Sequence, residues 1–301
     1  MSNTTTTTTT PTTTTSSSLP HRAVVAVPRS RARRHKDLGR NIAIVLITVL
    51  WVLPVVWIIA TAFKPRADVF SLAILFEPTW ANVVASFQSP YLVGARLLNS
   101  VLVTAGTLAI AIPVSTVAAY AFSRFRYPGG QVAPLVLLAT QFLPPVIIVI
   151  PLFVVFRNLG LLDTRWALII ANLSFVVPYA TWMIKGFFDA LPPDMEEAAQ
   201  IDGATRLQAL WTVVVPVAVP GIATAAIFAF VVSWNEFFYA LVLSRDHAVT
   251  LPVALMGART EEGDAWDIMA SMGLFIIAPM LILSRFVQRY FAAGLVAGAV
   301  R

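Results

Sequence analysis

Six apolar runs, each long enough to form a helix that crosses a lipid bilayer, dominate this 301-residue sequence. Such a helix needs about 20 predominantly apolar residues. Hydrophobic residues make up 58% of the chain and charged residues 12%, with a mean hydropathy of +0.78. Because a soluble domain carries about 25% charged residues, this composition argues against a soluble enzyme, a disordered protein and a nucleic-acid binder. The sequence predicts an all-α membrane protein with six transmembrane helices, at about 41–63, 97–121, 131–156, 167–188, 217–243 and 268–292.

Several of these runs contain proline, which in water argues against a helix because proline lacks a backbone N–H. Inside a membrane bundle, neighbouring helices can satisfy the freed carbonyl groups, so proline marks a kink. The shorter apolar stretch 69–76 cannot span a bilayer, and we expect it to lie on the outer membrane surface; a re-entrant element is the alternative. We expect kinks and not helix ends at Pro113, Pro144, Pro145, Pro151, Pro178 and Pro279.

Residues 1–40 begin with a threonine- and serine-rich tract and then become basic. Such a segment cannot form a core, so we expect a disordered cytoplasmic tail followed by a transmembrane domain over residues 41–301. Fourteen of the 21 Lys and Arg residues fall on the side of this tail and seven on the other side. Positively charged loops face the cytoplasm, which predicts a multi-pass protein of the bacterial cytoplasmic membrane with both termini inside. The basic tail also suits contact with anionic membrane lipids.

The residue types that carry most metal and nucleophile chemistry are scarce in this chain. It has no cysteine, and its three histidines, His21, His35 and His247, are widely separated in the sequence. We therefore expect no metal site, no catalytic residues and no cofactor bound by this chain.

The loop between the fourth and fifth runs, residues 189–216, is strongly charged. Its six charged side chains would cost well over about 10 kcal/mol inside a bilayer, so the loop stays in water. We expect two short helices within it. Asp194 followed three residues later by Glu197 is typical of a capping box, and Gly203 suits the left-handed turn that ends a helix.

The second short helix is expected to begin at Thr205, which repeats the capping pattern with Gln208. An apolar stripe at helical spacing follows, formed by Leu207, Leu210, Trp211 and Val214. On the first helix, the small side chains of Ala198 and Ala199 would let another protein surface approach closely. Together these features predict a stiff helix–turn–helix docking element, which we call the elbow (residues 194–208).

The elbow resembles the EAA loop of ABC importer permeases. Glu197-Ala198-Ala199 is followed after three residues by Gly203, and after nine more by Val213-Val214-Val215-Pro216. The family pattern has isoleucine and leucine where this chain has Val213 and Val215, which is a conservative departure.

Three further stretches are similar to the carbohydrate permeases related to the second membrane subunit of the maltose/trehalose-type transporters. They are Phe230–Phe238 in the fifth run, Pro78–Asn82 after the first run, and the C-terminal Arg289–Val300. Family members often end with lysine and glycine, whereas this chain ends with Arg301. The resemblance covers about residues 41–301.

This resemblance implies a six-helix permease of the type I ABC importer architecture that moves a sugar, a di- or oligosaccharide, by alternating access. It implies three partners: a second homologous permease subunit, an ATPase dimer that binds ATP and Mg²⁺, and an extracytoplasmic sugar-binding protein. Because this chain has no Gly-x-x-x-x-Gly-Lys-Ser/Thr phosphate loop, we expect a transport subunit and not an enzyme. The resemblance places the ATPase-docking residues of the coupling helix at Glu197, Ala198, Ala199, Ile201, Asp202 and Gly203.

Glu236 is the acidic residue inside a predicted span, and an intramembrane charge is a functional candidate. It follows Val217 by 19 residues, about 28 Å along a helix, which puts it near the outer interface. Two roles remain open for it and its neighbours Trp234, Asn235 and Phe237. They stabilise the external mouth or contact the binding protein, or they contact the sugar directly.

By resemblance, the loop that carries Gly257, Glu261 and Glu262 contacts the binding protein; an ordinary solvated loop is the alternative. Two rival functions also remain. The first is an ABC permease for a non-sugar solute, and only the three carbohydrate-type stretches argue against it. A proton- or sodium-coupled carrier would bury ionisable groups near the middle of the membrane, and five of the six runs have none in their central turns.

Overall fold

The computed structural model describes residues 31–73, 75–126, 128–130, 132–260 and 263–298, which form an almost entirely helical chain. The chain divides into two compact units, residues 1–52 and 53–301, and the described part of the first unit belongs to helix α1. A two-residue hairpin, β1 (Arg259–Thr260) paired antiparallel with β2 (Gly263–Asp264), is the only sheet among the described residues. The helices are α1 Arg31–Ala62, α2 Ala81–Phe87, α3 Val93–Arg124, α4 Val132–Ala139, α5 Pro145–Asn158, α6 Arg165–Asp189, α7 Asp194–Ile201, α8 Arg206–Ala209, α9 Val215–Trp234, α10 Phe238–Leu243, α11 Leu251–Met256 and α12 Trp266–Gly298.

Five stretches of helix are long and apolar enough to cross a membrane, and a sixth candidate is bent. The bent candidate consists of Val132–Phe142 and Pro145–Asn158, which meet at 90°. The predicted all-α class is confirmed, and the count reaches six when the bent pair is taken as one span. The five straight spans are Leu38–Ala62, Val93–Arg124, Arg165–Asp189, Arg206–Trp234 and Trp266–Arg285.

The prediction of a merely kinked third span was wrong. Pro144 takes an extended conformation and precedes the first residue of α5, Pro145. Since neither residue has a backbone N–H, a helix arriving from α4 cannot continue its hydrogen-bond ladder through them. The other four prolines that were expected to mark kinks do lie inside helices, at Pro113, Pro151, Pro178 and Pro279.

Two predicted boundaries also differ from the structure. Helix α1 begins at Arg31, inside the segment 1–40 that we expected to be a disordered tail; residues 1–30 of that segment lie outside the described residues. The fifth span does not run on to residue 243. It ends at Trp234, and a separate short helix, α10, follows.

The centre of the second unit is formed by α3, α6 and α9. Small side chains let these helices approach closely; Ala119, Ala180 and Ala225 are buried where the three meet. Gly221 of α9 faces the ring of Phe187, and a Cβ at position 221 would overlap that ring. These helices therefore pack as a rigid group, because so little space separates them.

The segment after α1 is not helical beyond a single turn of 3₁₀-helix at Arg66–Asp68. Its apolar side chains Phe70, Leu72 and Leu75 are exposed, as a segment lying on a membrane surface requires. The expectation that stretch 69–76 lies on the outer surface stays a prediction.

A second group of contacts fixes the bundle end opposite the elbow. Asp163, between α5 and α6, has a left-handed backbone (φ 58°). Its carboxylate accepts hydrogen bonds from the backbone N–H groups of residues 245–248, at distances between 2.9 and 3.2 Å. Asn99 of α3 holds the same loop, because its amide donates to the carbonyl oxygens of His247 and Val249 at 2.8 and 2.9 Å. We call this group the clamp.

These hydrogen bonds determine the acidity of Asp163. Burial raises its pKa, but the N–H groups of residues 245–248 outweigh burial and lower the pKa from 3.8 to about 2. Because the folded-state pKa is lowered, the stabilisation is complete above the unfolded pKa and is lost as the pH falls through the folded pKa.

The substitution Asp163→Asn keeps the size of the side chain and tolerates the left-handed backbone, but it removes the charge. At neutral pH we expect a loss of about 1–2 kcal/mol of stability, since hydrogen bonds to charged groups are the strong ones. The difference from wild type should shrink as the pH falls from about 4 towards 2. Thermal unfolding across that pH range measures it. Asp246→Asn, at an exposed neighbour, is the control; a difference that does not change with pH would contradict the assignment.

Candidate functional site

The elbow is built from two capped helices with a tight turn between them. Helix α7 ends at Asp202, and the following Gly203 has φ +95°. The N–H of Gly203 donates to the carbonyl of Gln200 at 3.1 Å, and the N–H of Ala204 donates to that of Ala199 at 3.0 Å. These two bonds form a complete Schellman motif, which satisfies the last carbonyl groups of the helix. The glycine predicted to end this helix is confirmed.

Helix α8 begins with the predicted capping box. The side chain of Thr205 accepts a hydrogen bond from the backbone of Gln208 at 3.3 Å, and the side chain of Gln208 accepts one from the backbone of Thr205 at 2.8 Å. The helix then continues through a π-turn, Leu210–Val214, into the transmembrane helix α9. The second helix of the elbow is therefore the start of a membrane span, continuous with α9.

The capping box predicted for the first helix was wrong. The residue before α7 is Pro193, which is already helical and makes no side-chain cap. Asp194, the first residue of α7, follows a residue that is already helical, so it lies too far along to act as the N-cap. The three acidic residues of the first turn, Asp194, Glu196 and Glu197, instead lie where the helix dipole favours negative charge.

Glu196 anchors the elbow to the membrane helices. Its carboxylate is 6% exposed and is paired with Arg124, at the end of α3, with Nε and Oε2 3.2 Å apart. The hydroxyl group of Tyr120 donates to the other carboxylate oxygen. Arg124 also donates to the carbonyl of Leu191 at 3.1 Å. This buried network joins both ends of the segment 191–196 to α3.

The neighbouring side chains of α7 point away from the bundle. Glu197 and Ala198 are exposed and Ala199 is half-buried, while Ile201 is 86% exposed. The side chain of Ile201 is therefore accessible to a partner. The predicted docking residues therefore share one accessible surface, which also includes Asp202 and Gly203.

The predicted apolar stripe divides into two parts. Leu210 and Val214 are buried among α3, α6 and α9, whereas Leu207 and Trp211 are exposed. The buried half fixes the direction of α8 relative to the bundle. Leu207, like Ile201, is an exposed apolar residue of the elbow.

The residues predicted at the outer end of the fifth span are at the opposite end of α9 and do not join the elbow. Trp234 is 3% exposed and donates a hydrogen bond from its indole to the carbonyl of Ile276 at 3.1 Å, so it packs α9 against α12. Asn235 is exposed and its amide donates to the carbonyl of Val231 at 2.7 Å. Phe237 is half-buried at the start of α10.

Glu236 explains why the fifth span is broken. Its two carboxylate oxygens accept hydrogen bonds from the backbone N–H groups of Tyr239 and Ala240, at 2.6 and 3.0 Å, and so they cap α10. The enclosed cavity beside Glu236 has a volume of only about 10 Å³, which suits at most one water molecule and no sugar ring. In this conformation the geometry favours the stabilising role for Glu236 over direct contact with sugar.

Of the predicted binding-protein loop, Gly257 is exposed and follows α11. Glu261 and Glu262 lie outside the described residues. Among the residues that the structure describes, no group of three His, Asp or Glu side chains is placed to hold a metal ion.

The partners of Glu196 were not predicted from the sequence. Tyr120 and Arg124 precede it by 76 and 72 residues. The available signal was the arginine at the end of a predicted span, close to the elbow on the same side of the membrane. That signal does not identify which of several acidic residues the arginine contacts.

Comparison with known proteins agrees with this architecture. Residues 111–296 match the family described as "Binding-protein-dependent transport system inner membrane component". A trehalose transport system permease protein of Mycobacterium tuberculosis is 35% identical, over 83% of this chain and 92% of that protein. A sulfoquinovosyl glycerol transport system permease protein of Agrobacterium fabrum is also 35% identical, over 87% of this chain and 93% of that protein.

A solved structure has the same fold. It belongs to a bacterial ABC transporter involved in the import of the acidic polysaccharide alginate, and the match has a TM-score of 0.73. The two sequences are 24% identical, and the match covers 87% of this chain and 99% of the other. Together with the apolar helices, these matches identify a multi-pass membrane protein and a transport subunit. The chain belongs to the family of binding-protein-dependent transport system inner membrane components, the permease subunits of ABC transporters.

Proposed function

We propose that this permease imports a sugar and that its elbow is the surface on which a separate ATPase subunit docks. The observation that carries the proposal is the combination of an exposed docking surface with a buried anchor on the same helix. Ile201 and Ala198 are accessible, whereas Glu196, on the opposite side of α7, is held by Arg124. An element that transmits movement from a partner needs both an accessible contact surface and a rigid connection to the membrane helices.

The elbow connects the docking surface to two membrane helices. It is continuous with α9 through Leu210–Val214 and is bound to α3 through Arg124. A displacement of α7 by a partner would therefore move the same ends of α3 and α9 together. This is the mechanical coupling that alternating access requires. ATP and Mg²⁺ would be bound by the partner and not by this chain.

We place the elbow and both termini in the cytoplasm, because the loops on that side carry most of the positive charge. The clamp and the loop 244–265 then face outwards, towards an extracytoplasmic sugar-binding protein. A second homologous permease subunit would complete the translocation path, because the cavity beside Glu236 holds no sugar ring.

A sugar is supported by the three carbohydrate-type sequence stretches and by the substrates in the names of the relatives, trehalose and sulfoquinovosyl glycerol. An ion-coupled carrier is less well supported. Within the five straight candidate spans, the charged side chains lie near the ends, as Arg96 and Arg124 do in Val93–Arg124, whereas ion-coupled carriers place such groups near the middle of the membrane.

Gly203 provides a direct test of the docking proposal. Gly203→Val puts a β-branched residue at φ +95°, which costs about 1–3 kcal/mol locally, while a Cβ there meets no atom of this chain within 4 Å. We expect the purified transporter to assemble but to lose most permease-dependent stimulation of its ATPase. Gly203→Asn, which tolerates this backbone, should retain most of it.

Gly186→Val is the matched control, because Gly186 is exposed on α6, its added Cβ also meets nothing within 4 Å, and its φ is ordinary. ATPase activity and sugar uptake at wild-type levels in Gly203→Val would refute the docking role of the turn.

The buried ion pair provides an independent test. Arg124→Ala and Glu196→Ala each leave a buried charge without its partner, which costs about 3–5 kcal/mol. We expect a lower unfolding temperature and a loss of coupling in each variant, with effects in the double variant well below the sum of the two single effects.

Asp189→Ala is the control. The side chain of Asp189 is 46% exposed and pairs with Lys185, so its removal should change the stability by less than about 1 kcal/mol. Additive effects of Arg124→Ala and Glu196→Ala would contradict the anchoring network.

The substrate class is tested by uptake in cells that lack this chain. Labelled trehalose, maltose, methionine and phosphate are compared before and after complementation with the wild-type chain and with Gly203→Val. We expect the wild-type chain to restore uptake of a sugar and the variant to restore little. Restoration of methionine or phosphate uptake alone would refute the sugar assignment but leave the ABC permease assignment intact.

A further inference from the structure

A second cavity lies at the elbow end of the bundle, and its lining includes none of the predicted docking residues. It has a volume of about 750 Å³ and is formed by the end of α3, the turn before α4, and α6. Its walls include two basic side chains, Arg126 and Lys185, and the indole ring of Trp182. Nothing in the proposed coupling mechanism uses this cavity.

The two basic groups give the cavity a positive rim. Arg126 is exposed and, within the described part of the chain, makes no hydrogen bond or ion pair. Lys185 is half-buried and donates one hydrogen bond to Asp189 at 2.6 Å, so two of its three N–H groups are left for another acceptor. Arg124, beside the cavity, is already neutralised by Glu196. The net charge around the rim is therefore positive, even with Asp189 included.

The rest of the cavity is amphipathic. Trp182 is 48% exposed on α6, as an aromatic residue at the boundary between headgroups and hydrocarbon would be. On the side of α4, Val132 and Leu135 present apolar side chains that are 57% and 62% exposed. The cavity thus has cations at its water end and an apolar wall along the membrane helix.

We propose that this cavity binds the phosphate headgroup of an anionic membrane lipid. Arg126 and Lys185 would contact the phosphate oxygens, and one acyl chain would lie along Val132 and Leu135. Basic pockets between membrane helices favour anionic headgroups in this way. A soluble anion would use the two cations but not the apolar wall formed by Val132 and Leu135.

The test uses the full-length chain, purified with its transporter subunits and stripped of lipid. Binding of phosphatidylglycerol and of phosphatidylcholine is measured by native mass spectrometry for the wild type, Arg126→Gln and Lys185→Gln. We expect phosphatidylglycerol to bind more tightly to the wild type, and each substitution to weaken it about fivefold. Arg157→Gln removes an exposed charge at the opposite end of the bundle and should have no effect. Asp189→Ala should leave binding unchanged or strengthen it, because it frees Lys185.

The position of the lipid is tested separately. Because the chain has no native cysteine, Val132→Cys carries a single photo-crosslinker at the wall of the cavity. We expect it to capture phosphatidylglycerol, and an excess of inorganic phosphate should not prevent this.

Four results would overturn the proposal. The first three are equal binding of the two lipids, equal binding by Arg126→Gln and Arg157→Gln, and capture of an ATPase or permease subunit at position 132 in place of lipid. Competition by inorganic phosphate alone would show a soluble-anion site and would equally refute the lipid.

Discussion

The buried carboxylate of Glu196 is the interaction on which the elbow depends. A charge removed from water is stable only if its partners replace the lost hydration. Here Arg124 and Tyr120 provide that replacement from the end of α3. Because the three side chains must stay together, α7 cannot move independently of the membrane helix. The exposed side chains of the same short helix, Glu197 and Ile201, are left free for a partner.

Water is excluded from the bilayer, and this constraint explains where the polar structure lies. The central helices approach through small residues such as Gly221 and Ala225, which leave little space between them. Small polar side chains fit there, as in the hydrogen bond from Ser115 to the carbonyl of Val177 at 3.1 Å, whereas the networks built on a carboxylate lie at the two ends, with the clamp of Asp163 at one and Glu196 at the other. An importer that changes access from one side to the other needs such a rigid connection at each end of a moving helix pair.

Local sequence chemistry was enough to predict much of this structure. Gly203 and the capping pair Thr205 and Gln208 act through neighbours a few residues away, so their roles can be read from spacing alone. The length of the apolar runs likewise predicted the membrane helices. Asp194 was misassigned because Pro193 already adopts a helical conformation, and that residue moves the start of α7 by one position.

Other features depend on contacts between distant parts of the chain and could not be predicted from spacing. Glu196 meets Arg124 across 72 residues, and Asp163 meets Arg245 across 82. The break in the fifth span was hidden because Glu236 looked like an isolated intramembrane charge, whereas its carboxylate caps α10. A carboxylate can accept all its hydrogen bonds from nearby backbone N–H groups. Composition alone does not distinguish such a capping carboxylate from one in a binding site.

Cross-linking from the elbow tests the central claim most directly. A single cysteine introduced as Ile201→Cys, 86% exposed in the wild type, is compared with one introduced as Leu75→Cys, 93% exposed at the opposite end. We expect position 201 to cross-link to the ATPase subunit and to be protected from a membrane-impermeant thiol reagent in intact cells, while position 75 is labelled. Labelling of position 201 from outside the cell, or a cross-link to the ATPase from position 75 instead, would contradict it.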